Sequence, residues 1–373
     1  MISFKSRVVR VIVLCSVLAA CGPFSPSTAV SQHPFPNRIN VEPLPDDLTW
    51  LNTSRPLRAD ELQGKFVLLD FWTYCCINCM HILPELKKLE KAYPKNLIVI
   101  GVHSPKFAAE GKSANILEAV LHHNIEHPVI NDSEKMLWKR YEVEVWPTFL
   151  LIDPEGKLVG RARGETTFEI LDGVLKRALP YYRKRGLLDE APLRLELAAD
   201  NEIPTPLRFP GKILADEPGN RLFIADSGHH RIVVTALDGT LLEIIGSGKI
   251  GSADGDYANA QFSSPQGMAL DGDRLWVADT ENHLIRQVDL AKKAIITIAG
   301  TGEQLRGLGS GNMAPRGKPL DTPLASPWAL FVQDQDLYVA MAGTHQIWRM
   351  QIDGSRIGPY AGNGREDIVD GRL

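Results

Sequence analysis

Cysteine is scarce in this chain: five residues in 373, three of them crowded into positions 75 to 79. Cys15 and Cys21 sit near the N-terminus, so no structural disulfide is expected outside the cluster of Cys75, Cys76 and Cys79. Basic charge is not in excess either. Lys and Arg number 41 against 45 Asp and Glu, a formal net charge of −4, which speaks against a nucleic-acid partner. No glycine-rich phosphate loop runs from a strand into a helix, so nothing invites nucleotide, flavin or haem, and no cofactor is expected. What the chain does have is 44% apolar side chains over a length that suits two or three domains with real cores.

The longest weakly polar stretch near the start, Val11 to Ala20, is about half the ~20 residues that span a bilayer. Preceded by Lys5, Arg7 and Arg10, it reads as an export signal over residues 1–20, whose removal leaves a charge of −7. Leu18-Ala19-Ala20-Cys21 resembles the bacterial lipobox. Leu is poor three positions before an ordinary secretory cut and standard in a lipobox. The resemblance implies acylation of Cys21, with enough lipid to hold the protein on a membrane without a spanning helix. Gly22 after the cysteine implies, by the same resemblance, the periplasmic face of an outer membrane. Exported proteins ordinarily use cysteines as staples, so three within five residues point to chemistry instead.

Four regions follow the signal. Residues 21–47, with Pro23, Pro26, Pro34, Pro36, Pro43 and Pro45, suit an extended tether. Residues 48–183 alternate strand and helix patterns: strands at 66–72, 97–102, 148–153 and 157–162, and helices at 80–93, 114–123, 135–141 and 168–178. A linker is expected at 184–208. From 209 to 373 an internal repeat takes over, in RLFIADSGHHRI (221–232), RLWVADTENHLI (274–285) and DLYVAMAGTHQI (336–347). Each is preceded by a proline (Pro210, Pro265, Pro327) and followed by Gly-x-Gly, at spacings of 53 and then 62 residues. Each period has room for about four short strands, as in a propeller blade.

A dithiol exchange enzyme needs one thiolate to attack a disulfide and a second thiol near enough to release the mixed disulfide. Cys76-x-x-Cys79 at a helix start meets both needs, with Cys76 as nucleophile and Cys79 as resolving thiol. The segment LLDFWTYCCINCMHILPEL (68–86), followed by Val145-Trp146-Pro147-Thr148, resembles thioredoxin. That resemblance implies a thioredoxin fold, a buried Asp70 that takes the Cys79 proton, a helix kinked at Pro84, and a cis-proline at Pro147 facing the dithiol. The segment between Ile98 and Trp146 resembles the insertion of extracytoplasmic cytochrome-maturation reductases, which implies reduction of disulfides in exported proteins, fed by an unidentified electron donor.

The sequence departs from thioredoxin at Cys75, where that family has Trp, at Ile77-Asn78 between the cysteines, and at Met80-His81 after them. Cys75 reads as a spectator or a regulatory thiol, and His81 as a thiolate stabiliser or a solvated helix residue. Zinc is disfavoured, because Cys75, Cys76, Cys79 and His81 share one short turn and cannot surround an ion. Thr73, three residues before Cys76, leaves a thiol peroxidase as the alternative enzyme, although Leu69 stands where peroxiredoxins carry proline. A lipid-anchored binding scaffold without catalysis is the alternative from another class.

The Ala-Asp-x-x-x-His-x-Ile rhythm resembles the NHL repeat, which implies a β-propeller that binds partners. Asp226 and Asp279 are expected to bond the next strand's turn, and His230, His283 and His345 to hold their own blades together. The expected architecture is therefore an α/β thioredoxin fold followed by an all-β NHL-type propeller segment of about three blades, incomplete as a ring. The expectation attached to that incompleteness is a truncated product, or two chains pairing open propeller edges.

Overall fold

The computed structural model describes residues 32–45, 47–198, 204–306 and 316–365. The expected signal, the expected lipidation site at Cys21 and the first part of the tether lie outside the described residues, and no described helix is long and apolar enough to cross a membrane.

The first domain is built on a seven-stranded sheet. In chain order its elements are β1 (Ile39–Asn40), β2 (Thr49–Leu51), α1 (Ala59–Leu62), β3 (Phe66–Trp72), α2 (Ile77–Met80), α3 (Leu83–Ala92), β4 (Leu97–His103), α4 (Ser113–His122), β5 (Val129–Asn131), α5 (Met136–Arg140), β6 (Thr148–Ile152), β7 (Lys157–Arg163) and α6 (Phe168–Lys184). Spatial order is β1-β7-β6-β3-β4-β5-β2, with β3, β4 and β5 parallel. β3 is central and buried at every position, as its apolar run requires, and Asp70 is buried with it. Alternation sends Phe66 and Leu68 toward Leu86 and Leu89 of α3 and Leu171, Leu175 and Leu179 of α6. It sends Val67, Leu69 and Phe71 to the opposite face, against Leu137 and Tyr141.

Three local expectations are revised. The helix expected to kink at Pro84 is two helices, interrupted at His81 and Ile82, and Pro84 sits in the first turn of α3, where its missing N–H costs nothing. The tether is not free from His33 onward: Phe35 packs into the first core, Arg38 pairs with Asp153 at 2.7 Å, and Ile39 pairs with Leu158. The apolar residues set between the prolines have a surface to bury, and that outweighs the extended bias of the composition. The linker likewise becomes a strap. Leu187 and Leu188 pack on one core and Leu193 and Leu195 on the other, while the buried Lys65 ammonium donates to the carbonyls of Lys95, Asp189 and Ala191.

The second region comprises three antiparallel sheets: β8 (Pro210–Asp216), β9 (Arg221–Asp226), β10 (Arg231–Ala236) and β11 (Leu241–Ile245); then β12 (Gly255–Asp256), β13 (Pro265–Asp271), β14 (Arg274–Asp279), β15 (Leu284–Asp289) and β16 (Ala294–Ala299); then β17 (Pro327–Gln333), β18 (Asp336–Met341), β19 (Gln346–Gln351) and β20 (Ile357–Ala361). They form an NHL-type propeller segment. The middle blade is buried on both faces: Leu275 and Val277 meet the first blade, Trp276 meets the third. Gly300 and Gly362 leave the outer strands at φ near 95°, where a Cβ would strike the carbonyls of His283 and His345.

The repeat residues stitch blades differently from expectation. His230 Nδ1 accepts from Ser264 N–H, and His283 Nδ1 from Ser326 N–H, each at 3.1 Å, so each histidine ties its blade to the next. The aspartates reach back as well as forward: Asp226 accepts from Arg208 N–H and Asp279 from Ser263 N–H, both at 2.7 Å. In the third blade Met341 replaces the aspartate, and its sulfur takes the equivalent amide, Ala325 N–H, at 3.4 Å.

Candidate functional site

The chain leaves β3 at Trp72 and turns so that Cys76 N–H donates to Thr73 O at 3.1 Å. Cys76 then caps α2: its sulfur accepts Cys79 N–H at 3.3 Å and its carbonyl accepts Met80 N–H at 3.2 Å. Sulfur at this position shares the Cys79 amide with the Cys76 carbonyl at the first turn of the helix, where a hydrogen bond from backbone N–H favours thiolate. The two cysteines are only 3% and 1% exposed, no disulfide joins them, and they pack with Trp72, Ile116, Val120, Ile125 and Val129.

Asp70 shares the β3 face of Phe66 and Leu68, which places it beneath the helices that carry Cys79. It is buried, its Oδ1 has no hydrogen-bond partner, and burial pushes its carboxyl up from 3.8 to about 7. Cys79 is driven well above a thiol's ordinary value, first by burial and then by Cys76 and the Asp70 charge. Two residues that sequence reasoning passed over complete this layer. His127 is buried near Asp70, and Glu90 Oε1 lies 3.3 Å from its Nδ1, an ion-pair contact without hydrogen-bond alignment. Burial works against charge on His127, but Glu90 and Asp70 outweigh it and hold the imidazole above its ordinary value.

Pro147 follows a cis peptide bond with Trp146. The register of β6 on β3, with Thr148 opposite Phe71, brings Pro147 beside the strand end that leads to Cys76. The loop is fixed by Trp146 Nε1 donating to Ser104 O at 2.9 Å and by Thr148 Oγ1 donating to Val145 O at 2.7 Å. Cys75 is exposed, and its thiol is pushed up to about 12 by burial of its sulfur and by its hydrogen bond to Glu110, a carboxylate that also accepts from Thr73 Oγ1.

His81 is neither solvated nor part of the dithiol. Its ring is buried between the two regions, 2.7 Å from Glu165 and 2.8 Å from Ser326 Oγ of the third blade. That blade also faces the dithiol: a cavity of about 500 Å³ is lined by Cys75, Cys76, Ile77 and Asn78 on one side and by third-blade residues from Ala340 to Gly362 on the other. Among the described residues, one group has three side chains placed to share a metal: His33, Asp153 and Glu155. Arg38 already pairs with both of those carboxylates.

The Thioredoxin-like family matches residues 64–158, and the NHL repeat matches residues 262–288. The thiol-disulfide oxidoreductase ResA of Bacillus thuringiensis is 30% identical over 126 residues, covering 34% of this chain and 70% of that protein. The chain belongs to the thioredoxin-like family. NHL repeat-containing protein 2 of Gallus gallus is 42% identical over 325 residues, which cover 86% of this chain and 45% of that relative, so the chain spans about half its length. A solved thioredoxin-like protein in its oxidised form is 26% identical, covers 39% of this chain and 97% of its own, and gives a TM-score of 0.35. Within this thioredoxin-like unit the structure gathers Cys76, Cys79, Asp70 and Pro147 at one end of the sheet, and an NHL blade stands over them.

Proposed function

We propose that the protein is a thiol-disulfide oxidoreductase that reduces protein disulfides outside the cytoplasm. The observation that carries the reading is the unjoined Cys76 and Cys79 in one capped helical turn, set over a buried carboxyl whose titration lies at about 7. The Cys76 thiolate attacks one sulfur of the substrate disulfide; that S–S bond breaks and the departing thiolate takes a proton. Cys79 then passes its proton to Asp70 and attacks Cys76 Sγ, which releases the second substrate thiol. The substrate gains two electrons and two protons, and the protein is left with a Cys76–Cys79 disulfide. A group titrating near neutrality is suited to accept and return that proton. Pro147 presents backbone beside the reacting sulfur.

The peroxidase alternative is weakened because the Thr73 hydroxyl is committed to Glu110 rather than turned to Cys76. The scaffold alternative gives no reason for Asp70 to sit buried and without a hydrogen-bond partner under the dithiol. Lipid anchoring at Cys21 remains part of the proposal on the strength of the lipobox-like segment, and metabolic labelling with a radioactive fatty acid, lost in Cys21→Ser, tests it.

The deciding experiment titrates the purified protein against a dithiothreitol or glutathione series, with thiol trapping and mass spectrometry. A reversible two-electron transition that disappears in Cys76→Ser is the expected result. A midpoint near about −270 mV means reductase, and one near about −120 mV means oxidant. If no disulfide forms at any poise, the redox reading fails and the scaffold takes its place.

A further inference from the structure

Among the described residues, the lining of the cavity over Cys76 has no Lys, Arg, Asp or Glu. Its propeller wall is mostly small or uncharged side chains, among them Ala340, Ala342, Gln346, Ile347 and Ala361, with His345 as its titratable group. A glutathione disulfide entering there would bring carboxylates into a site where no lysine or arginine among the described residues meets them, and stripping water from an unpaired charge is costly. An uncharged stretch of extended chain loses little by entering, and the small side chains leave room for its backbone.

The wall is held by an interdomain node. His81 Nδ1 lies 2.7 Å from Glu165 Oε1 and 2.6 Å from Gln304 Nε2, and its Nε2 lies 2.8 Å from the Ser326 hydroxyl. Gln304 donates to the other Glu165 oxygen at 2.9 Å, and Ser326 N–H binds His283, so one ring joins the redox helices to the second and third blades. The approach is close: a methyl group at Gly343, next to the cavity residue Ala342, would lie 3.0 Å from His81 Cε1.

We propose that this cleft is the substrate site, that it takes an uncharged, extended polypeptide segment bearing the disulfide and disfavours anionic small disulfides, and that His81 is a positioning residue that holds the cleft's far wall. The proposal rests on the oxidoreductase reading above.

The test is a single-turnover reaction of pre-reduced protein with three disulfides: a synthetic peptide with uncharged residues around its disulfide, the same peptide flanked by glutamates, and glutathione disulfide. Wild type reacts at least tenfold faster with the uncharged peptide. Ile347, 40% exposed, tolerates substitution. Ile347→Glu slows the uncharged peptide about tenfold, and Ile347→Lys speeds the glutamate-flanked one, with the dithiol midpoint unchanged in both. His81→Leu collapses the selectivity without moving the midpoint, and Ser326→Ala gives the same result from the propeller side should His81→Leu fold poorly. Equal rates for all three disulfides in wild type, or selectivity untouched by either Ile347 change, overturns the inference while leaving the oxidoreductase standing. Selectivity that survives Ser326→Ala, or a midpoint shifted together with it, overturns the positioning role. Wild-type protein that reduces none of the three sinks the oxidoreductase reading itself.

Discussion

Replacing Asp70 with asparagine removes the carboxyl buried under the dithiol, and the consequence for stability has a definite sign and size. The unfolded chain releases this proton near 3.8 and the folded chain near 7, because burial disfavours the carboxylate. Between those values the folded state holds a proton that the unfolded state has lost, so stability falls as pH rises, by about 1.4 kcal/mol per pH unit, and levels off above about 7. Full stability from this group is present below 3.8, and the total loss is about 4 kcal/mol. Asp70→Asn has no such slope. Urea unfolding of both proteins in parallel from pH 5 to 8 is the assay. Wild type should lose about 3 kcal/mol relative to the variant across that range, most of it below pH 7. His127→Leu, which removes the cation that partly offsets burial, should carry the loss to higher pH. Parallel pH profiles for wild type and Asp70→Asn would refute the buried-carboxyl argument. In single-turnover assays the same variant should accumulate the mixed disulfide on Cys76, since only the resolving step needs the proton acceptor.

Two further predictions follow from neighbouring groups. With its thiol pushed up to about 12, Cys75 should resist iodoacetamide at pH 8 despite its exposure, and Glu110→Gln should speed its alkylation; peptide mapping that finds Cys75 labelled first in wild type contradicts the role given to Glu110. Asp279→Ala should destabilise the propeller by about 3 kcal/mol, because it leaves the fully buried Arg286 with the half-exposed Asp254 as its carboxylate partner and Ser263 N–H without an acceptor; a denaturation midpoint near that of wild type would count against this pairing.

Much of the fold was legible because its signals are local. The buried run of β3, the turn at Asp153 to Gly156 and the apolar face of α6 all declare themselves within one element. The three-residue strands β2 and β5 are too short to show a period, and α6 runs past Ala178 because Leu179 and Tyr182 extend its apolar face. Cys76, Cys79, Asp70 and Pro147 could be picked out because their spacing follows one strand and one helix start. The interdomain role of His81 could not be, and neither could His127 or Glu90, because what matters about such residues is set at long range: Glu165 and Ser326 lie 84 and 245 positions from His81. Sequence alone places His230 and His283 on the right element but ties each to its own blade, since a one-blade view cannot show a bond to the next.

Phe209, Ser264 and Ser326 each precede the first proline of a blade and share a left-handed backbone with φ between 46° and 50°. They are the same address in three successive copies of one unit. Phe209 stacks on His122 of α4 at 4.8 Å, whereas Ser326 bonds His81 beside the dithiol. Which copy meets the reactive cysteines is therefore a matter of phase, set by the strap that feeds the first blade. Inserting or deleting one blade upstream would present a different copy to Cys76, and the choice of substrate would change with no alteration to the catalytic residues.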